Sequence, residues 1–180
     1  MLYRYMELEK SYGSEYKVLK ALKDGKIFKV EKGLYSDSER VSPIEVINKK
    51  YPNAIFSSDY AYYVHNLTTV IPKKFYLTTD RNAPKIKDED IVQIFSSKEL
   101  LNIGKTTVEY EGVVINIYNK ERMLIELFRN SKSMPLDYYK EIVNEFRDIS
   151  GELDYSDIRE YLENFNNSDF ISDKIQKEVL

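Results

Sequence analysis

The apolar positions near the N-terminus recur with the period of an α-helix. Their spacing predicts a short helix over residues 1–10 and a second helix from Ser14 to Lys23. Ser14 is a typical N-cap, and Gly25 is suited to end the second helix because glycine adopts the left-handed conformation at low cost. The residues expected on the buried sides are Leu2, Tyr5 and Met6 in the first helix and Val18, Leu19 and Leu22 in the second.

A basic hairpin and a polar linker are predicted after the second helix. Residues 26–35 have the pattern of two short strands that turn at residues 31–33, where polar residues and glycine favour a tight turn. Residues 36–40 are polar and predict a linker. A third helix is expected to begin at Ser42, because proline follows it at the first helical position, and to end near Tyr51.

The remainder of the chain predicts a small sheet followed by helices. Strands are expected at about residues 54–56, 74–79, 90–96, 105–110 and 113–118. The last two should form a hairpin around Gly112. Helices are expected from Ser58 through Tyr63, over residues 121–129, and two or three times within residues 135–178.

Composition restricts the protein to a few broad classes. Hydrophobic residues make up 42% of the 180 positions and charged residues 32%, which is typical of a globular protein. Cysteine is absent, so disulfides, thiol catalysis and cysteine-ligated zinc are excluded. The N-terminus lacks the basic and apolar segments of a signal peptide, and no window approaches the ~18 apolar residues of a membrane span. We therefore expect a cytoplasmic protein.

Charge is unevenly distributed along the chain. The net charge is −3, which by itself argues weakly against a nucleic-acid partner. Residues 1–35, however, contain eight Lys/Arg and five Asp/Glu, whereas residues 136–180 contain five Lys/Arg and twelve Asp/Glu. The basic residues near the N-terminus are the candidates for contact with a polyanion, and the acidic C-terminal segment is expected to form solvated helical faces.

The second helix combines an apolar side with a basic side. Its lysines recur every three residues, so they share one face. A helix of this kind that is followed at once by a basic hairpin is typical of a recognition helix and its wing, which contact the major groove and the adjacent phosphates. The predicted DNA-binding residues are Tyr12, Ser14, Tyr16, Lys17, Lys20, Lys23, Lys26, Lys29 and Lys32.

A second interpretation of the same pattern is a solvated lysine face on an ordinary helix and hairpin, since lysines are common on surfaces. The number of helices also departs from a typical winged helix, which has three. Only two helices fit before the hairpin in this sequence. The third is either absent or supplied by residues 42–50.

Four segments resemble, in order and spacing, the AbiEi-type antitoxins. These segments are LKALKDGKIFKVEKGLYS over residues 19–36, YPNAIFSS over 51–58, HNLTTVIP over 65–72 with FYLTT over 75–79, and NKERMLIE over 119–126. Together these segments are distributed over residues 10–130. AbiEi-type antitoxins are cognate to nucleotidyltransferase toxins in phage-defence (type IV) toxin–antitoxin pairs.

The resemblance implies a transcriptional repressor of its own operon. An N-terminal winged helix would bind inverted repeats in double-stranded promoter DNA, and a C-terminal domain would supply the antitoxin action. It also implies that the nucleotidyltransferase toxin is a functional partner that is counteracted without a stable complex.

Pattern and resemblance together predict an α+β fold in two domains. A winged helix-turn-helix DNA-binding domain is expected over residues 1–38. A mixed α/β antitoxin domain, with a small sheet and C-terminal helices, is expected over residues 42–180.

No residue set in the sequence fits a catalytic or metal centre. His65 is the only histidine and is expected to end a helix and pack there. Acid–x–lysine patterns of the kind that nucleases use occur only at residues 15–17 and 24–26, outside the predicted sheet. Asp88 and Asp90 form a D-x-D pattern that is expected in a solvated turn. We therefore expect no enzymatic activity, no metal and no cofactor.

Two other classes of function remain beside the repressor. The chain is alternatively a protein-interaction module that binds the toxin directly, through its tyrosine-bearing middle or its acidic helices. Tyrosine is favoured at such interfaces. An enzyme, such as a nuclease, is the least favoured class because the required metal ligands are missing from the sequence.

Overall fold

Two small sheets and nine α-helices make up the chain, which confirms the predicted α+β class. The computed structural model describes all residues from 1 to 180. Contacts divide the chain into two units, Met1–Pro52 and Asn53–Leu180. None of the helices is both long and apolar enough to span a bilayer.

The first unit contains three strands and three helices. In chain order they are β1 (Leu2–Arg4), α1 (Tyr5–Tyr12), α2 (Glu15–Lys23), β2 (Phe28–Glu31), β3 (Leu34–Ser36) and α3 (Pro43–Lys50). The strands form one antiparallel sheet in the order β1-β3-β2, so the first strand pairs with the third rather than with the second. This order places α1 and α2 between the first two strands in sequence.

The N-terminal residues differ from the prediction. Residues 2–4 are a strand and not part of a helix, because Leu2 pairs with Ser36 and Arg4 with Leu34 across the sheet. The helix begins only at Tyr5, and it leaves the predicted core residue Met6 with 80% of its surface exposed. A partner strand that lies more than 30 residues away in sequence cannot be read from local periodicity.

The core of the first unit lies under the two consecutive helices. Leu8 from α1, Val18 and Ala21 from α2, and Ile27 after α2 form one buried cluster. Gly13 sits between the helices with a φ of 77° and donates its backbone N–H to the Glu9 carbonyl at 2.8 Å. A residue with a side chain is strained in this left-handed conformation, so glycine suits the sharp turn between α1 and α2.

Helix α3 belongs to the first unit. Ile44 and Ile47 are buried, and the Lys49 amine lies 2.9 Å from a carboxylate oxygen of Glu7 in α1. The boundary therefore falls after Pro52, whereas the sequence suggested a division between residues 1–38 and 42–180. The polar composition of residues 36–40 suggested a linker, but the chain crosses that segment and then returns to the same unit.

The second unit is built around a five-stranded mixed sheet with helices. Its elements are β4 (Ile55–Phe56), α4 (Ser58–Val64), β5 (Phe75–Asp80), β6 (Ile91–Ser96), α5 (Lys98–Leu101), β7 (Lys105–Tyr110), β8 (Val113–Tyr118), α6 (Lys120–Asn130), α7 (Leu136–Asp148), α8 (Tyr155–Leu162) and α9 (Ser168–Glu178). The strand order is β6-β5-β4-β8-β7, which leaves β6 and β7 at the two edges.

Most predicted strands of this sheet are confirmed. The β7–β8 hairpin turns at Glu111 and Gly112, which have φ angles of 51° and 77°. Two consecutive positive φ angles are the signature of the hairpin turn that matches strand twist, and glycine at the second position favours it. The short helix α5 was not predicted, because four residues are too few to show a helical period.

Helix α6 is the most buried helix of the second unit. Its apolar residues Met123, Leu124, Ile125 and Leu127 have no exposed surface. His65 ends α4, as predicted, and its Nε2 lies 2.7 Å from the Tyr118 carbonyl oxygen. Burial lowers the pKa of this imidazole, so the ring favours its neutral form in the fold.

Glu141 of α7 gives the second unit a predictable response to acid. Its Oε1 accepts hydrogen bonds from the Thr69 backbone N–H at 2.7 Å and from the Thr68 and Thr69 hydroxyls at 3.0 Å each. Because the backbone donor and the two hydroxyls stabilise the carboxylate, the pKa of Glu141 lies below its usual value. Its contribution to stability is therefore present above the ordinary glutamate pKa and is lost as the pH falls through the pKa in the fold.

We expect Glu141→Gln to reduce the loss of unfolding free energy between neutral and acidic pH. Urea unfolding, followed by circular dichroism at several pH values, measures the slope of the unfolding free energy against pH. Glu160→Gln, at an exposed glutamate of α8, is the matched control and should keep the wild-type slope. Identical slopes for Glu141→Gln and the wild type would contradict the role assigned to this carboxylate.

Candidate nucleic-acid interface

Helix α2 is held with one side in the core and the other in solvent. Ser14 is its N-cap, and the Ser14 hydroxyl oxygen accepts the Lys17 backbone N–H at 3.4 Å. Val18 has no exposed surface and Ala21 has 4%. These two buried positions fix the rotation of the helix and therefore decide which side chains face outward.

All six lysines predicted for the interface are exposed. Three lie on α2, Lys26 follows it, and two lie on the hairpin formed by β2 and β3. None of the six forms an ion pair with a carboxylate. We call these six exposed lysines the lysine face: Lys17, Lys20, Lys23, Lys26, Lys29 and Lys32.

The tip of the hairpin is a tight turn that presents a cation. Gly33 has a φ of 81°, and the exposed Lys32 precedes it. The only acidic residue of this hairpin, Glu31, lies with its carboxylate 3.3 Å from the Lys50 amine of α3. This pairing offsets the one negative charge close to Lys32.

The outward side of α2 also carries two large side chains of lower polarity. Tyr16 is 75% exposed and Leu19 is 54% exposed. The prediction that Leu19 is buried is wrong, because Val18 and Ala21 take the core side and Leu19 projects away from it. Leu19 is thus a candidate contact residue that the sequence analysis missed; its spacing of three residues from Tyr16 was the available signal.

Two other predicted residues are partly engaged within the first unit. Tyr12 is half-buried and packs against the core cluster of Leu8, Val18, Ala21 and Ile27. Ser14 is half-buried and its hydroxyl caps α2. The lysine face and Tyr16 therefore form the accessible part of the predicted site, whereas Tyr12 and Ser14 lie at its margin and help to position α2.

This arrangement has the chemistry to bind a polyanion. Six ammonium groups that lack carboxylate partners can displace counterions from a phosphate backbone. The exposed Tyr16 hydroxyl and the Leu19 methyl groups are able to meet base edges and thymine methyl groups. No group of three or more His, Asp or Glu side chains in the chain is arranged to hold a metal ion.

A cavity in the second unit was also missed by the sequence analysis. Its volume is about 890 Å³, and its walls come from several strands, helices and loops between Ser57 and Tyr138. Residues so widely separated in sequence form no local motif. The backbone of Ser58, whose φ of 50° is unusual for a residue other than glycine, marks one wall of the cavity.

Comparison with known proteins assigns the chain to no family. The sequence matches no protein-family model, and none of the curated proteins is detectably similar to it.

Proposed function

We propose that the chain is a DNA-binding repressor of the AbiEi antitoxin type, in which the first unit is a winged helix-turn-helix. Helix α2 enters the major groove, and the hairpin of β2 and β3 is the wing that reaches the neighbouring phosphates. The observation that carries the proposal is the lysine face, which combines six exposed amines without carboxylate partners on one helix and the adjoining hairpin.

The connectivity of the first unit supports this assignment. Two helices joined by the short Gly13-Ser14 turn precede a β-hairpin, and β1 pairs with the second strand of that hairpin. A helix-turn-helix presents its second helix to DNA while the first lies across the backbone. Helix α3 belongs to the same unit and is the candidate for the third helix that the sequence lacks before the hairpin.

The exposed residues of α2 are of two kinds, which support affinity for DNA and recognition of its sequence. Lysines attract phosphates irrespective of sequence, which supplies affinity and fixes the orientation of the protein. Tyr16 and Leu19, exposed on the same helix, supply contacts that differ between base pairs. A helix with lysines alone would bind DNA without discrimination.

The biological context of the proposal follows from the resemblance. The DNA partner is double-stranded promoter DNA with inverted repeats, and the functional partner is a nucleotidyltransferase toxin in the same cytoplasm. The second unit supplies the antitoxin action.

The test is a gel-shift titration of the full chain with the promoter DNA of its own operon and with a shuffled duplex. We expect preferential binding of the promoter by about 10³-fold or more at physiological salt. If all six lysines contact phosphates, log K should fall against log salt with a slope of about −5. Equal affinity for both duplexes, or no binding to either, would rule out a sequence-specific repressor.

We expect a fragment of residues 53–180 to lack DNA binding. It omits the whole lysine face but retains the complete second unit, which has its own sheet and buried core. Circular dichroism should show a cooperative unfolding transition for this fragment, and the gel shift should show no complex with the promoter. A folded fragment that bound as tightly as the full chain would place the DNA site in the second unit.

A further inference from the structure

The side of α2 that faces solvent carries one continuous stripe of exposed side chains. Successive residues of an α-helix are rotated by about 100° around its axis, since a turn holds about 3.6 residues. Val18 and Ala21 point into the core, so Tyr16 points almost directly away from it. Residues three, four and seven positions after Tyr16 lie on the same side of the helix. The α2 stripe consists of Tyr16, Leu19, Lys20 and Lys23, all of which are exposed.

The α2 stripe has an apolar half and a cationic half. Tyr16 and Leu19 are three residues apart, a spacing that places their Cβ atoms about 5–6 Å from each other on a helix. Neither side chain belongs to the buried cluster of the first unit or packs against it. Their apolar surface therefore has no partner within the first unit and is available to another molecule.

The elements proposed to face DNA lack the side chains that most often read bases by paired hydrogen bonds. Arginine reads guanine in this way, and asparagine or glutamine reads adenine. None of these three residue types occurs from residue 5 to residue 36, which includes α1, α2 and the β2–β3 hairpin. Lysine also binds guanine, but it is a flexible point charge without the planar fork of arginine. Another feature of the base pairs must therefore supply most of the discrimination.

The thymine 5-methyl group is the apolar feature of the major groove, and apolar side chains recognise it by contact. We propose that Tyr16 and Leu19 contact thymine methyl groups, so that each operator half-site has thymines where α2 docks. This proposal rests on the DNA-binding function proposed above and names the bases that α2 reads. The long stems of Lys20 and Lys23 reach phosphates on the walls of the groove.

Charge complementarity favours DNA over a protein as the occupant of the α2 stripe. An apolar patch on a partner protein would also cover Tyr16 and Leu19. However, Lys20 and Lys23 adjoin them on the same stripe, and the other four lysines of the lysine face lie on α2, just after it and on the hairpin. A polyanion that also presents methyl groups matches both halves of the stripe, and thymine-containing DNA has this chemistry.

The experiment is a gel-shift titration of the full chain with two promoter duplexes, one of which has deoxyuridine in place of every thymidine. This replacement removes the 5-methyl groups and keeps all Watson–Crick pairs. The wild type should bind the uracil duplex at least about fourfold more weakly, which is the loss expected for one buried methyl group. A third duplex carries 7-deazaguanine, which lacks the N7 acceptor, and should bind as tightly as the unmodified promoter.

Variants assign the methyl contacts to residues. Leu19→Ala and Tyr16→Ala should each reduce the preference for the thymine duplex over the uracil duplex, and the double variant should bind the two duplexes equally. Leu136→Ala, at an exposed leucine of α7 in the second unit, is the matched control and should keep the wild-type preference. All three positions are exposed, so thermal unfolding of the variants should stay close to that of the wild type.

Equal binding of the wild type to the thymine and uracil duplexes would overturn the proposal and leave the proposed function intact. A double variant that keeps the wild-type preference would overturn it as well, because the methyl contacts would then lie elsewhere. A loss with 7-deazaguanine but not with uracil would show that lysines read guanine instead. If the wild type binds no promoter duplex at all, the proposed function itself fails and this proposal fails with it.

Discussion

The double variant Lys17→Glu/Lys20→Glu is expected to lose promoter binding while it keeps the wild-type fold. Both amines are exposed on α2 and have no carboxylate partner, so their replacement breaks no ion pair. Each reversal replaces an attraction to phosphate by a repulsion. If each costs about 1.4 kcal/mol, which is tenfold in affinity, the two together lower affinity by about 100-fold or more. Gel-shift titration at fixed salt measures this loss.

The matched control is Lys73→Glu/Lys74→Glu. These lysines are also exposed and adjacent in sequence, but they lie in the second unit. The control carries the same change in net charge and should keep at least most of the affinity. Thermal unfolding should place both variants within about 0.5 kcal/mol of the wild type, as is usual for surface substitutions. Promoter binding that survives in the α2 variant would show that α2 is not the DNA-contacting helix.

Arg122→Ala is expected to destabilise the second unit strongly. Its guanidinium group lies between the rings of Tyr118 and Phe165, 4.6 and 4.5 Å from their centroids. Its loss removes the buried one of the two arginine partners of Glu126 and the donors to two backbone carbonyls. Removing one partner of a buried ion pair costs about 3–5 kcal/mol. Urea unfolding of the full chain measures the change in unfolding free energy.

Arg129→Ala tests whether the loss of stability expected for Arg122→Ala results from the burial of that arginine or from the ion pair as such. Arg129 contacts the same carboxylate, but its side chain is 37% exposed. An exposed pair of this kind contributes about 0–1 kcal/mol, so the two variants should differ by several kcal/mol. Equal losses for Arg122→Ala and Arg129→Ala would contradict the structural role assigned to the buried position.

Local chemistry accounts for the parts of the fold that the sequence predicted well. The strands β5 to β8 were located to within one or two residues, because each is a run of β-branched and aromatic residues bounded by turn residues. The Gly25 and Gly112 turns were located because a positive φ angle restricts the choice of residue at those positions.

Long-range pairing accounts for the parts that were missed. Residues 2–4 form a strand because β3 supplies their hydrogen-bonding partners. No property of residues 2–4 alone indicates that this pairing exists. Helix α3 similarly joins the first unit through Ile44, Ile47 and its lysines, which are also compatible with a helix of the second unit.

The candidate sites show the same contrast. The exposure of the lysine face was predictable because a lysine amine is rarely buried. Lysines that recur every three residues along a helix therefore indicate which side of that helix faces solvent. Leu19 was misplaced because leucine favours the core, whereas the rotation of α2 is set by Val18 and Ala21. The cavity was not predictable, since its walls come from residues spread between Ser57 and Tyr138, which only the topology of the sheet and its helices brings together.

The edge position of β6 has a consequence for handling the purified protein. All six of its residues, Ile91 to Ser96, lack charge, and none is proline; Phe95 is 47% exposed. Edge strands of natural proteins usually carry a lysine, a proline or a bulge that discourages a neighbouring molecule from adding its own strand. Concentrated solutions should therefore self-associate along β6 first, and one lysine in place of Phe95 is the smallest change that would keep the molecules apart.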